Sequence, residues 1–312
     1  MKVNLHADSW TSPIVRKHAR EVLHNEDEPM KATLNIARPL CAAVLLSLGG
    51  CVQMAQSLYL ASYERDINSA KLAIETASDD AHRAAAYAKR GSAYSEKARY
   101  SRAFKIISSD EYERLFGLAI KDHDRALELD PTSAEAYYTR GRTYYDRAFL
   151  ETVVNGALVG TEATRKAWFD PAIADFGKAV ERDARHFMAW DMLGLSHESA
   201  GELDQAITDY SQEMALNPLG RARLADAYCA RGDADQKQKK HDAAIADYEK
   251  SIDTGATADG CSCDPYDPLL VLYNADRRYD QGWEVVHKAR SSKKWIEPVF
   301  LDRLKKESGR SD

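Results

Sequence analysis

An aromatic residue followed four positions later by glycine recurs along this chain, as Tyr87 with Gly91, Tyr137 with Gly141, Trp190 with Gly194 and Tyr228 with Gly232. A second block follows each copy. These blocks are Ala119-Ile-Lys-Asp-His-Asp-Arg-Ala126, Ala172-Ile-Ala-Asp-Phe-Gly-Lys-Ala179, Ala206-Ile-Thr-Asp-Tyr-Ser-Gln-Glu213 and Ala244-Ile-Ala-Asp-Tyr-Glu-Lys-Ser251. Such self-similarity confines a chain to a stack of like units, each burying its apolar face against the next. Glycine and alanine at fixed offsets let two helices approach closely, and the aromatics fill the gaps between successive pairs. Pro131 and Pro218, five residues beyond the second block, stop a helix because proline lacks the next backbone donor.

These blocks resemble the tetratricopeptide repeat, a helix-turn-helix of about 34 residues. The resemblance implies an all-α solenoid of antiparallel helix pairs over residues 62–290. Departures occur at Glu213 and Ser251, which replace the usual small residue, at Ala184 and Ala256 in place of proline, and at Asp235 in place of an aromatic. Asp66 to Ala73 reads as an unpaired second helix ahead of the first full repeat. Tyr266 to Ala289, with Leu269, Tyr273, Tyr279 and Trp283, reads as a fifth, divergent repeat, and residues 291–312 hold a capping helix around Trp295 to Leu304, then a tail.

The first two full repeats are stretched. From Gly91 to Ala119 there are 28 residues and from Gly141 to Ala172 there are 31, against 12 in each of the next two repeats. Both insertions fall at the turn between paired helices, so elongated hairpins are expected, with a helix start at Ser109 in the first. In the second, Asp170 and Pro171 form the pattern of an N-cap and first helical residue, after a loop from Asn155-Gly156 to Gly160-Thr161. The added apolar residues either pack hairpin on hairpin or leave a partner patch at Leu158, Val159 and Trp168.

Ahead of the repeats, no charge occurs between Arg38 and Glu64, and Leu40 to Leu48 is almost wholly apolar. That run is too short for a comfortable membrane span of ~20 residues. It follows a basic stretch and ends Leu48-Gly49-Gly50-Cys51, which resembles the lipobox of bacterial lipoproteins. The resemblance implies a signal peptide at 30–50, with Leu48, Gly49 and Gly50 read by the signal peptidase, and lipidation of Cys51. It also implies a tether at 51–61 that opens the first helix, and an over-extended start at 1–29. Val52 and Gln53, with no Asp after the cysteine, resemble the sorting pattern for the periplasmic face of the outer membrane. An uncleaved anchor or a chance apolar stretch are the alternatives.

Lys and Arg number 43 against 49 Asp and Glu, a net charge of −6. That lacks the basic excess phosphate contacts need, so no nucleic acid partner is expected. No two of the nine histidines lie within four residues, and neither a phosphate loop nor a nucleophile elbow occurs. No cofactor, metal or catalytic residue is therefore assigned. Cys261 and Cys263 could join in a disulfide, or one could pair with Cys229; a redox or ligand-binding role would rest on them. The groove of tetratricopeptide arrays is lined by the first helix of each pair. The resemblance places Tyr138, Arg142, Tyr145, Asp191, Leu195, Asp226 and Asp233 there, while Ala88, Ser92, Thr139, Met188 and Met192 replace the carboxylate clamp of chaperone-binding members. The expectation is a non-catalytic scaffold or adaptor for protein partners in the cell envelope, held at the membrane by its N-terminal lipid. A self-assembling structural lipoprotein is the third possibility, and the oligomeric state is left open.

Overall fold

The computed structural model describes residues 50–154, 157–158, 160–255 and 262–311. Two compact units emerge, one of residues 1–161 and 167–184, the other of 162–166 and 185–312. Among the described residues there are twelve α-helices and one two-stranded hairpin, so the all-α tetratricopeptide class expected from the repeats is the one observed. None of these helices is long and apolar enough to cross a membrane.

The first unit opens with α1 (Gly50–Thr76), the expected unpaired helix, which is much longer than its repeat-like core. It buries Ile67 and Ala70. Next come α2 (Asp80–Ala103) and α3 (Ser109–Leu129), then α4 (Ala134–Thr152) and α5 (Glu162–Arg182), whose first five residues group with the second unit. Asp79 and Ser108 cap α2 and α3 by accepting from His82 N and Glu111 N at 2.8 and 3.2 Å. Elongation is visible in the lengths. The helices α2 to α5 have 24, 21, 19 and 21 residues, whereas α6 (Phe187–Ala200) and α7 (Leu203–Leu216) have 14 each. At 1.5 Å per residue, α2 extends roughly 15 Å further than an ordinary member.

Two local expectations fail in the second hairpin. Pro171 does not begin a helix but lies inside α5. Its missing N–H removes one backbone bond, at a cost of ~3 kcal/mol, and burial of Phe169 and Ala172 on either side offsets that loss. Part of the expected loop is instead a strand, as β1 (Val153–Val154) pairs antiparallel with β2 (Ala157–Leu158). Asn155-Gly156 between them is a favoured two-residue hairpin sequence.

In the second unit, α6 and α7 are followed by α8 (Arg221–Lys237) and α9 (His241–Thr254). The fifth pair is α10 (Tyr266–Ala275) and α11 (Tyr279–Ser291), and α12 (Pro298–Ser308) closes the chain. The core of these last elements centres on Tyr248, Leu269, Leu270, Tyr273 and Trp283, with Leu304 of α12 fully buried among them. Each repeat glycine admits a neighbouring ring. A Cβ at Gly194 would stand 2.7 Å from Tyr210, and one at Gly141 or Gly232 3.0 and 2.9 Å from Phe176 and Tyr248.

Candidate interaction surface

The repeat carries an ion pair that its sequence blocks encode. The Arg before each glycine grips the Asp of the Ala-Ile-x-Asp block through Nε and Nη2, both at 2.7 Å, as Arg90 with Asp122, Arg140 with Asp175 and Arg231 with Asp247. The carboxylates are buried. Each guanidinium also lies 5.4 to 5.8 Å from the tyrosine three residues earlier, an arrangement that adds cation–π attraction. In the third repeat Leu193 replaces the arginine, and His197 Nδ1 reaches Asp209 at 2.6 Å instead. Burial raises the Asp209 carboxyl above its ordinary pKa, and the hydrogen bond to His197 opposes that rise. These charges bind helix to helix. The constant offset of Arg and Asp in the blocks is the signal that would have revealed them.

His123 occupies the register held by Phe176, Tyr210 and Tyr248 in later repeats. It is fully buried, with Nε2 3.1 Å from Thr143 Oγ1. Burial, aided by the nearby Arg140 charge, lowers its pKa to about 3, so the ring is neutral at physiological pH.

The residues assigned to the groove separate into different roles. Tyr145 and Leu195 are buried and line no surface. Tyr145 is covered because the elongated hairpin lays Phe149 and Phe169 over it, with ring centroids 6.1 and 5.4 Å away. Tyr138 packs against Phe176 at 5.9 Å, and Arg142 faces Glu96 at 4.0 Å. Asp191 pairs with Arg223 at 2.6 Å. Asp233 accepts from the buried Tyr248 hydroxyl at 2.7 Å, and Asp226 accepts from the backbone of Ser262 and Cys263 at 2.9 and 3.1 Å. Burial thus removes Tyr145 and Leu195 from any binding surface, and the other five each have a partner within their own unit.

The disulfide expectation changes as well. Cys263 is joined to Cys229, 34 residues earlier, with Cα atoms 6.4 Å apart, so the Cys261–Cys263 pairing is not formed; Cys261 lies outside the described residues. Of the hairpin patch, Trp168 is 38% exposed, Leu158 belongs to β2, and Val159 lies outside the described residues. So do residues 1–49, including Leu48 and Gly49, while Gly50 and Cys51 are the first two residues of α1.

Two features of the second unit were not read from the sequence. An open cleft of about 820 Å³ is lined by Glu162, Glu202, Asp204, Arg231, Asp235 and Lys250 among others. Its walls mix acidic, basic and uncharged side chains, and Arg231 within it is held by Asp247 and Asp204. The second feature is apolar. Phe187 and Met188 begin α6, Leu216 ends the antiparallel α7, and Leu219 follows; all four are exposed, Leu219 at 84%. Beside this strip, Glu213 is buried beneath Gly220, whose lack of a side chain leaves it room. Burial, and then the Asp191 charge, raises its pKa to about 7.

A model of the tetratricopeptide repeat matches residues 225–254, which span most of α8 and all of α9. Over 106 residues the chain is 27% identical to anaphase-promoting complex subunit 3 of Schizosaccharomyces pombe, a match covering 34% of this chain and 13% of that protein. The chain thus spans a small fraction of that relative's length. Among solved structures, MamA is 24% identical with a TM-score of 0.36, covering 60% of this chain and 95% of that one. YrrB, described as a TPR protein with an unusual peptide-binding site, is 18% identical with a TM-score of 0.35, over 70% and 87% of the two chains. PilF of Pseudomonas aeruginosa is 16% identical with a TM-score of 0.36, over 70% and 84%.

Proposed function

We propose that this tetratricopeptide-repeat chain is a non-catalytic scaffold or adaptor of the cell envelope, tethered through lipid on Cys51 to the periplasmic face of the outer membrane. The observation that carries the scaffold reading is the exposed strip Phe187, Met188, Leu216 and Leu219. Helix pairs whose ionic groups are spent on one another leave this apolar strip as the surface suited to a partner's helix or extended segment. The tether is supported by Leu48-Gly49-Gly50-Cys51 directly at the start of α1. The joined Cys229 and Cys263 agree with an oxidising compartment.

Both parts are tested in cells that export the full chain. Labelled palmitate should enter the native protein and not its Cys51→Ser variant, and the native protein should fractionate with outer membranes. Chemical cross-linking followed by mass spectrometry should then yield a different envelope protein. Capture of further copies of this chain alone would replace the adaptor with a self-assembling lipoprotein.

A further inference from the structure

Two stretches of low charge, the start of α1 and the turn from α2 to α3, lie at one end of the first unit. The helices α1 and α2 run antiparallel. Glu64 pairs with Lys97, and Tyr59 and Tyr63 lie 5.3 and 5.9 Å from Tyr100. The start of α1 therefore stands beside the end of α2, and Gly50 lies roughly 9 Å beyond the level of Phe104 at 1.5 Å per residue. In sequence, the uncharged run from residue 39 leads directly into that helix start.

The turn from α2 to α3 carries Phe104, stacked at 4.7 Å on Tyr100, and then Lys105, Ile106 and Ile107. Lys105 is its only charge between Arg102 and Asp110. Ile107 packs on the same cluster of Ala98, Tyr112 and Leu115 as Leu150, so the end of α4 is its neighbour. Phe104 and Ile106 remain exposed at 47% and 37%, as do Leu58 and Tyr59 at 63% and 44%. A solvated hairpin tip in a chain with 29% charged residues has no need of this composition.

We infer that the turn between α2 and α3, at the tip of the first elongated hairpin, rests in the headgroup region of the bilayer that holds Cys51, so that α1 and this turn seat the first unit on the lipid surface. The inference rests on the lipid-anchored reading above. Tyrosine and phenylalanine with scattered basic residues suit the membrane interface, whose apolar contacts reach ~5–10 Å deep. Arg102 and Lys105 flank Phe104 where anionic headgroups would lie.

The test uses the full lipidated chain in vesicles of phosphatidylethanolamine and phosphatidylglycerol with brominated acyl chains, which quench nearby tryptophan. Phe104→Trp is compared with Leu72→Trp, which marks the opposite end of α1 and is likewise exposed. Fluorescence added at 104 should fall by at least a third with a blue shift, while that added at 72 should not change. Flotation of the protein with vesicles while the signal at 104 stays unquenched overturns the seating and leaves the anchor standing. Failure of the native chain to float overturns both. A Phe104→Ser, Ile106→Ser variant that still floats should show weaker quenching of a tryptophan placed at Tyr59, and unaltered quenching there counts against the contact.

Discussion

Replacing His123 with phenylalanine should make the first unit resistant to mild acid. The native ring is fully buried, and its pKa is lowered to about 3 from 6.5 by burial and by the Arg140 charge. Because the folded pKa lies below the unfolded one, the unfolded chain binds the extra proton first. Stability is therefore whole above pH 6.5 and is lost as pH falls toward 3. At pH 4.5 the unfolded imidazole is two units below its pKa while the folded one is still neutral, a penalty of about 2 to 3 kcal/mol. Phenylalanine should fit, since Phe176 fills the same register against Gly141. The neighbouring hydroxyls keep acceptors, Thr143 donating to Thr139 O at 3.1 Å and Thr139 to Glu135 O at 3.0 Å. Urea unfolding at pH 7.5 and 4.5, with hydrogen exchange of α3 to assign the transition to this unit, measures the difference. Carboxylates that protonate in this range are common to both chains and cancel. Equal losses for the native chain and His123→Phe would refute the reasoning.

Other substitutions probe the repeat directly. Gly194→Ala places a methyl 2.7 Å from the buried Tyr210 ring, which its hydroxyl bond to Glu198 holds in place. Thermal melts should show a loss of ~1–3 kcal/mol, whereas Gly177→Ala, with open space around it, should gain ~0.5–1 kcal/mol. Arg140→Ala strands the buried Asp175 and should cost roughly 3 kcal/mol, with Asp175→Asn in the same background recovering part of it in a double-mutant cycle. Glu213 has the opposite sign to His123. Its folded pKa is raised, so the second unit should lose stability between pH 4.5 and 7, and Glu213→Gln should flatten that slope in pH-dependent melts. Peptide mapping without reduction should recover Cys229 linked to Cys263, and Cys229→Ser should lower the second unit's stability by about 3–4 kcal/mol.

The helix pairs and their unequal lengths were legible because the repeat is written in local chemistry. A glycine opposite an aromatic, and a counted excess of residues between two blocks, translate directly into close packing and longer helices. The continuation of α5 through Pro171 was not legible, since the bond lost at proline is local while the burial of Phe169 that offsets it is tertiary. The groove was misread at Tyr145 and Leu195 for a related reason. Register along one helix tells which face a residue occupies, and not whether an elongated neighbour such as the Phe149 and Phe169 pair covers it. The polar groove residues similarly found partners one helix or one repeat away. Cys229 and Cys263 stand 34 residues apart, one repeat period, so the stacking of successive pairs brings them together, a tertiary effect that local spacing around Cys261 and Cys263 does not show.

The scaffold reading is tested most directly by site-resolved photo-cross-linking in cells. A benzophenone side chain at Met188 or Leu219 should attach a specific envelope protein, and one at the exposed Gly117 of α3 should not. Equal labelling at all three positions, or attachment only to further copies of this chain, would contradict the account.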